Sequence, residues 1–230
     1  MGRSPTGQAA MSGGPRTRRS VVAEKISVSK VDQKAETRSR LRMAALTLFA
    51  TKGYDDTPVS DITALAGVSD RTFFLHFPTK ADAVMDLAEG RLVGPFLDSV
   101  FCSKSGVSDL GVLEDAFIAW IEAAGDRREV HHRAQLVLRA AAMSPTVRGK
   151  MLEATDVMVV SATAALARRR KLTAPTLEVE VAVAAAVGLV ERITAEWVAR
   201  DTPHDLHSIA RAHFEAFRRV AEADRKARHA

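Results

Sequence analysis

A chain of 230 residues with 47% hydrophobic and 27% charged residues has globular composition, enough for one large helical unit or a small domain beside a larger one. Its lone cysteine, Cys102, excludes an intramolecular disulfide and a cysteine-based zinc site, and no run approaches the ~18 apolar residues read as a membrane span. Aromatics stand at only 5% while Ala, Val and Leu abound, so the expectation is an all-α, cytoplasmic protein with helices packed through small and aliphatic side chains.

The positive charge is concentrated at one end. Residues 1–40 hold nine basic and three acidic groups, a net +6 against +5 for the whole chain, which leaves about −1 on the other 190. A basic arm on a nearly neutral body is the distribution of a nucleic-acid arm, and equally that of a solvated tail. Residues 1–34 are rich in Gly, Ser, Thr, Pro and Arg without an apolar period, and are expected to be disordered. Met11 offers a second candidate start.

From Thr37 the pattern changes. Leu41, Ala44, Ala45, Leu48 and Phe49 recur at helical spacing up to Gly53. A short second helix follows, with Thr57 as N-cap, Pro58 at the first helical position and Val59, Ile62, Leu65 and Ala66 on its inward face. Ala66-Gly67-Val68-Ser69 forms a tight turn in which Gly67 takes positive φ, and Ser69 caps a third helix running through Phe77. Thr79 with Asp82 three residues on forms a capping box that restarts the chain. Gly94-Pro95 ends or kinks a fourth helix, and Ser103 to Gly106 is a loop. Further helices are expected near 108–124, 127–143, 145–168, 175–200 and 204–226, with four cations, Arg168 to Lys171, closing the third of these.

Two short helices joined by a glycine turn form a helix-turn-helix, in which the first braces the second in the DNA major groove. The turn alone is weak evidence. The wider pattern is specific: Ala44-Ala45, Leu48-Phe49, Gly53-Tyr54, Thr57, Val59, Ile62, Ala66-Gly67-Val68-Ser69, Thr72-Phe73-Phe74, His76-Phe77, Lys80 and Val84. This segment, residues 38–84, resembles the DNA-binding domain of TetR-family transcriptional regulators. The resemblance implies a helix-turn-helix domain (residues 35–84) and a larger helical domain (85–230) for effector binding and dimerisation. It implies a homodimer on double-stranded DNA, with no enzymatic activity, cofactor or metal.

The resemblance also suggests DNA-facing residues. Thr57, His76 and Lys80 match positions that touch the phosphate backbone, and Lys80 just inside a helix start opposes the dipole unless an anion is near. Phe74 stands at a DNA-facing position but departs from the tyrosine common in the family and lacks its hydroxyl donor, so a nonpolar brace is the alternative to a phosphate contact. Ser69, Asp70, Arg71 and Thr72 open the third helix and would face the bases; Arg71 can bond guanine N7 and O6 in bidentate fashion, or simply a phosphate. Arg38, Arg40 and Arg42 could follow the neighbouring minor groove.

In the second half, Ala182, Ala184, Ala185, Ala186 and Gly188 would allow close helix approach, in a dimer or within one subunit. Phe117, Trp120, Leu136, Met143, Met158 and Trp197 are candidate liners of an effector pocket, each also an ordinary core residue by type. The low polarity of this region suggests an apolar effector. The function expected is a sequence-specific regulator, a repressor released from a palindromic operator by ligand. The alternative is an effector-independent, architectural DNA-binding protein.

Overall fold

Helix α1 spans Arg18–Thr51, so residues 18–34, expected to be disordered, are helical, and the helix starts well before the pattern at Thr37. Between Pro15 and Gly53 the sequence has neither Gly nor Pro, and residues 23–36 are rich in Ala, Glu, Lys and Gln. These residues favour helix by propensity but carry no apolar period, the signal on which the start at Thr37 rests. In this computed structural model the described residues are 18–85, 94–103, 108–123, 125–200 and 205–227. Residues 1–17 and the 104–106 part of the expected loop lie outside them, as do 86–93, so the break expected at Gly94-Pro95 falls at their edge.

The chain divides between Arg40 and Leu41 into two units. The second holds the rest of α1, then α2 (Val59–Ala66), α3 (Asp70–His76), a 3-10 turn (Lys80–Ala83), α4 (Gly94–Cys102), α5 (Asp109–Ala123), α6 (Arg127–Met143), α7 (Pro145–Arg169), α8 (Leu177–Val198) and α9 (Leu206–Ala227). Among the described residues there is no strand. Two caps set their boundaries where the sequence places them. Asp126 accepts hydrogen bonds from the Arg128 and Glu129 amides to start α6, and Ser144 accepts from Val147 to start α7 with Pro145 in its first turn.

Two apolar clusters hold these helices. One joins Leu41, Ala45 and Phe49 of α1 to Ile62, Phe73, Phe77 and Val84, and it continues into Leu136, Val137, Ala140 and Ala141 of α6 and Val147 of α7. The other packs α4, α5, α7, α8 and α9 around Val100, Leu113, Phe117, Leu166, Ile193 and Phe214. Burying each large side chain contributes about 1.5–3 kcal/mol, so the α2–α3 pair owes its position chiefly to Ile62, Phe73 and Phe77. The cations ending α7 reach beyond their own helix. Arg169 donates to the Val100 and Ser103 carbonyls at the end of α4, and Arg170 pairs with Asp109 at the start of α5.

Gly67 adopts φ 68° at the end of α2, where the Val68 amide donates to the Thr63 carbonyl. A Cβ there would meet nothing within 4 Å, so the demand for glycine is conformational alone. Gly67→Ala is therefore expected to destabilise by about 1–2 kcal/mol, read from the urea midpoint, with Asn costing less. A neutral alanine would contradict this.

Candidate DNA-reading surface and cavity

The helix-turn-helix is assembled from short-range bonds. Ser69 accepts the Thr72 amide at 3.2 Å and its hydroxyl lies 2.9 Å from that of Thr72, which fixes the first turn of α3. Asp70 accepts a hydrogen bond from the hydroxyl of Thr63, a buried residue of α2, and so ties the two helices together. That contact supports a structural role for Asp70. Thr63 was not expected to face inward, and Leu65, which was, is 57% exposed. In a two-turn helix the stripe Val59, Ile62, Ala66 already fills the inward face, and a threonine whose hydroxyl is bonded can be buried at little cost.

Thr57 is a second correction. Pro58, not Thr57, is the N-cap of α2. Thr57 is fully buried, and its hydroxyl donates to the Gly53 carbonyl at 2.6 Å, so in this geometry it presents nothing to a phosphate. Pro58 holds φ −71° and extended ψ, a geometry suited to the cap, which moves the helix start one residue on.

Lys80 is the residue whose surroundings the sequence revealed least. Its ammonium donates to the Tyr54 carbonyl at 2.6 Å and the Thr57 carbonyl at 2.9 Å, and sits 4.1 Å from the centroid of the Tyr54 ring. The Tyr54 ring packs against Phe49 at 5.0 Å. Lys80 thus pins the turn between α1 and α2, with one of its three N–H bonds left over.

The exposed side of α3 presents Asp70, Arg71, Phe74 and Leu75, with Ser69 exposed beside its first turn. Phe74 sets its ring edge against Phe73 at 5.4 Å and remains 54% exposed, so the brace it provides is one-sided. Arg71 makes no hydrogen bond or ion pair with the described residues and is free to reach a partner. Thr72 and His76 are half-buried. On α1, Arg38 is buried and Arg40 exposed, while Arg42 is half-buried and donates to the Val84 carbonyl at 3.4 Å. Of the three arginines, Arg40 is the one presented to solvent.

A link unseen in the sequence joins the 3-10 turn to α7. Asp82 accepts from the Thr79 amide and hydroxyl, which completes the expected cap, and pairs with Lys150 at 2.9 Å. Burial alone would raise the Asp82 carboxyl, but the bonds from Thr79 and Lys150 hold it below the usual carboxylate range. The Lys150 ammonium is raised, first by Glu153 and then by Asp82. The Asp82 contribution is therefore full above the ordinary value of 3.8 and lost as pH falls below it. Asp82→Asn should cost about 0.5–1 kcal/mol at pH 6 in urea unfolding, and the gap should close by about pH 2. A gap unchanged at that pH would contradict the assignment.

The second feature is an apolar cavity of about 410 Å³ bounded by α4 to α8. Phe117, Trp120 and Met158 line it, with Leu113, Ala162 and Val187 among others. The Phe117 and Trp120 rings stack at 6.0 Å. Three other expected liners lie elsewhere. Leu136 belongs to the core beneath α1–α3, Met143 is 54% exposed at the end of α6, and Trp197 is buried edge-on against His131 at 4.6 Å. Helical spacing cannot tell these destinations apart, because each requires only an apolar face. Met85 and Met151 border the cavity and also pack against the α1–α3 core.

Comparison with known proteins bears on this geometry. The family described as bacterial regulatory proteins, tetR family, matches residues 41–84. None of the curated proteins matches the chain significantly. Among solved structures, one from Mesorhizobium loti MAFF303099 assigned to the TetR family is 23% identical with a TM-score of 0.51, covering 81% of this chain and 97% of that one. Two others assigned to the family come from Shewanella sp. PV-4 (23% identity, TM-score 0.48, 77% and 95% covered) and Rhodococcus sp. (21%, 0.49, 79% and 98%). The Mesorhizobium structure shows the fold, a helix-turn-helix followed by a helical body. Among the described residues no helix is long and apolar enough to cross a membrane. Residues 41–84 thus carry the helix-turn-helix described by the model for bacterial regulatory proteins, tetR family.

Proposed function

We propose that this chain is a homodimeric repressor that binds a palindromic operator through α3 and is released when a small, largely apolar molecule enters the cavity. In this reading residues 35–84 form the DNA-binding domain, residues 85–230 the effector and dimerisation domain, and residues 1–34 a basic arm. The observation that carries it is the sharing of Met85 and Met151 between the cavity and the α1–α3 core. A ligand that displaces either methionine changes the packing beneath the reading helix, so the two states differ in affinity for DNA as linkage requires.

The dimer reading rests on α8. Leu177, Val181, Ala184 and Gly188 fall on one stripe and are exposed, Leu177 at 71% and Val181 at 57%. On α9, Phe217 and Val220 are exposed too. Apolar side chains left open on these two helices suit the pairing of two subunits, and a two-fold dimer matches a palindrome. The test has two steps. A compound library is screened for saturable loss of affinity for the selected operator, and Val187→Phe, which fills the cavity, is then tested with the hit. Retained DNA affinity with no response to the hit supports the reading; an undiminished response places the effector elsewhere.

A further inference from the structure

We propose that the cavity selects apolar molecules carrying a basic nitrogen, and that Glu191 is the group that recognises it. This rests on the cavity being the effector site. Of the described residues lining the cavity, Thr155, Thr194 and Glu191 alone have polar side chains apart from the Trp120 indole N–H, and of these Glu191 alone is a carboxylic acid. From α8 the cavity is lined by Val183, Ala186, Val187, Val190, Glu191 and Thr194. Glu191 stands at the edge of this lining, beside Val190 and one turn before Thr194, where a carboxylate meets an otherwise apolar wall.

Glu191 makes no hydrogen bond or ion pair with the described residues. Three other glutamates of the region are paired. Glu196 pairs with Arg200 and His213, Glu114 with Arg218, and Glu122 with His207. Glu191 is exposed, so water carries its charge while the cavity is open. A ligand whose apolar body fills the cavity displaces some of that water.

The charge of the ligand then decides the outcome. A neutral molecule leaves the carboxylate less solvated and unpaired, and an anion adds repulsion. A protonated amine replaces the displaced water with a charge-assisted hydrogen bond. The remainder of the wall agrees with this choice. The stacked Phe117 and Trp120 rings offer π faces that attract a cation, and the Thr155 and Thr194 hydroxyls can accept N–H bonds.

The test uses the full chain at pH 7 and three probes of one shape: 4-phenylbutylamine, 4-phenylbutan-1-ol and 4-phenylbutanoate. Binding is followed by calorimetry and by tryptophan fluorescence, since Trp120 lines the cavity. The amine should bind about tenfold more tightly than the alcohol, and the alcohol more tightly than the carboxylate. Glu191→Gln should bring the amine-to-alcohol ratio close to one, with circular dichroism checking the fold of the variant. Equal binding of amine and alcohol to the parent overturns the inference and leaves the cavity standing as a ligand site. A preference that survives in Glu191→Gln also overturns it, by assigning recognition to another group. Failure of all three probes to bind overturns both the inference and the cavity reading beneath it.

Discussion

Replacing Lys80 with Met is expected to lower stability by about 2–3 kcal/mol and to weaken DNA binding beyond that loss. Methionine keeps most of the stem but removes the ammonium from the Tyr54 and Thr57 carbonyls. A hydrogen bond from a charged donor is worth about 1.5–3 kcal/mol, and the approach to the Tyr54 ring adds about 0.5–1 kcal/mol. Because the Tyr54 carbonyl also accepts from the Thr57 amide, it keeps one partner and the cost is smaller than two full bonds. Urea unfolding gives the stability term. Salt titration of operator binding separates the two roles of the lysine. If the ammonium also neutralises a phosphate, the slope of the variant falls by about one, whereas a loosened turn alone leaves it unchanged. A variant as stable as the parent would contradict the pinning role.

Arg71→Ala is expected to weaken operator binding by roughly 5- to 150-fold, corresponding to about 1–3 kcal/mol, with little change in stability. Arg71 is exposed on the first turn of α3, and nothing in the fold depends on it. If it reads a guanine, the loss falls on one base-pair position and specificity there relaxes. If it meets a phosphate, binding weakens evenly across sequences and the salt slope falls by about one. Binding measured against a panel of single-position operator variants distinguishes these outcomes. An unchanged affinity would remove Arg71 from the interface.

How far the sequence discloses this molecule depends on the range of the interaction concerned. Most features that close within four residues are legible. They include the Ser69 cap, the positive φ of Gly67, the Thr79–Asp82 cap and the starts of α6 and α7. Thr57 was misplaced by one position because Pro58 also suits a helix start, and only the bond to Gly53 decides between them. Interactions across many residues left no local trace. Lys80 meets Tyr54 across 26 positions, and Asp82 meets Lys150 on a helix far along the chain.

The cavity was partly legible for the same reason. Phe117, Trp120 and Met158 point toward it, and Leu136 and Trp197 into packed cores, yet all five occupy the apolar faces of their helices. The early turns of α1 are not legible because the sequence there has no apolar stripe and helix propensity alone is a weak signal.

The central claim is sequence-specific reading of DNA by a two-fold pair of α3 helices. Selection of bound fragments from random duplex DNA, with a salt titration of the enriched site, tests it most directly. The account predicts a palindrome whose half-sites lie about one helical turn or more apart, bound far more tightly than random duplex at the same salt. Recovery of no motif, with steeply salt-dependent binding to every duplex, would contradict it and favour an architectural protein acting through its basic arm.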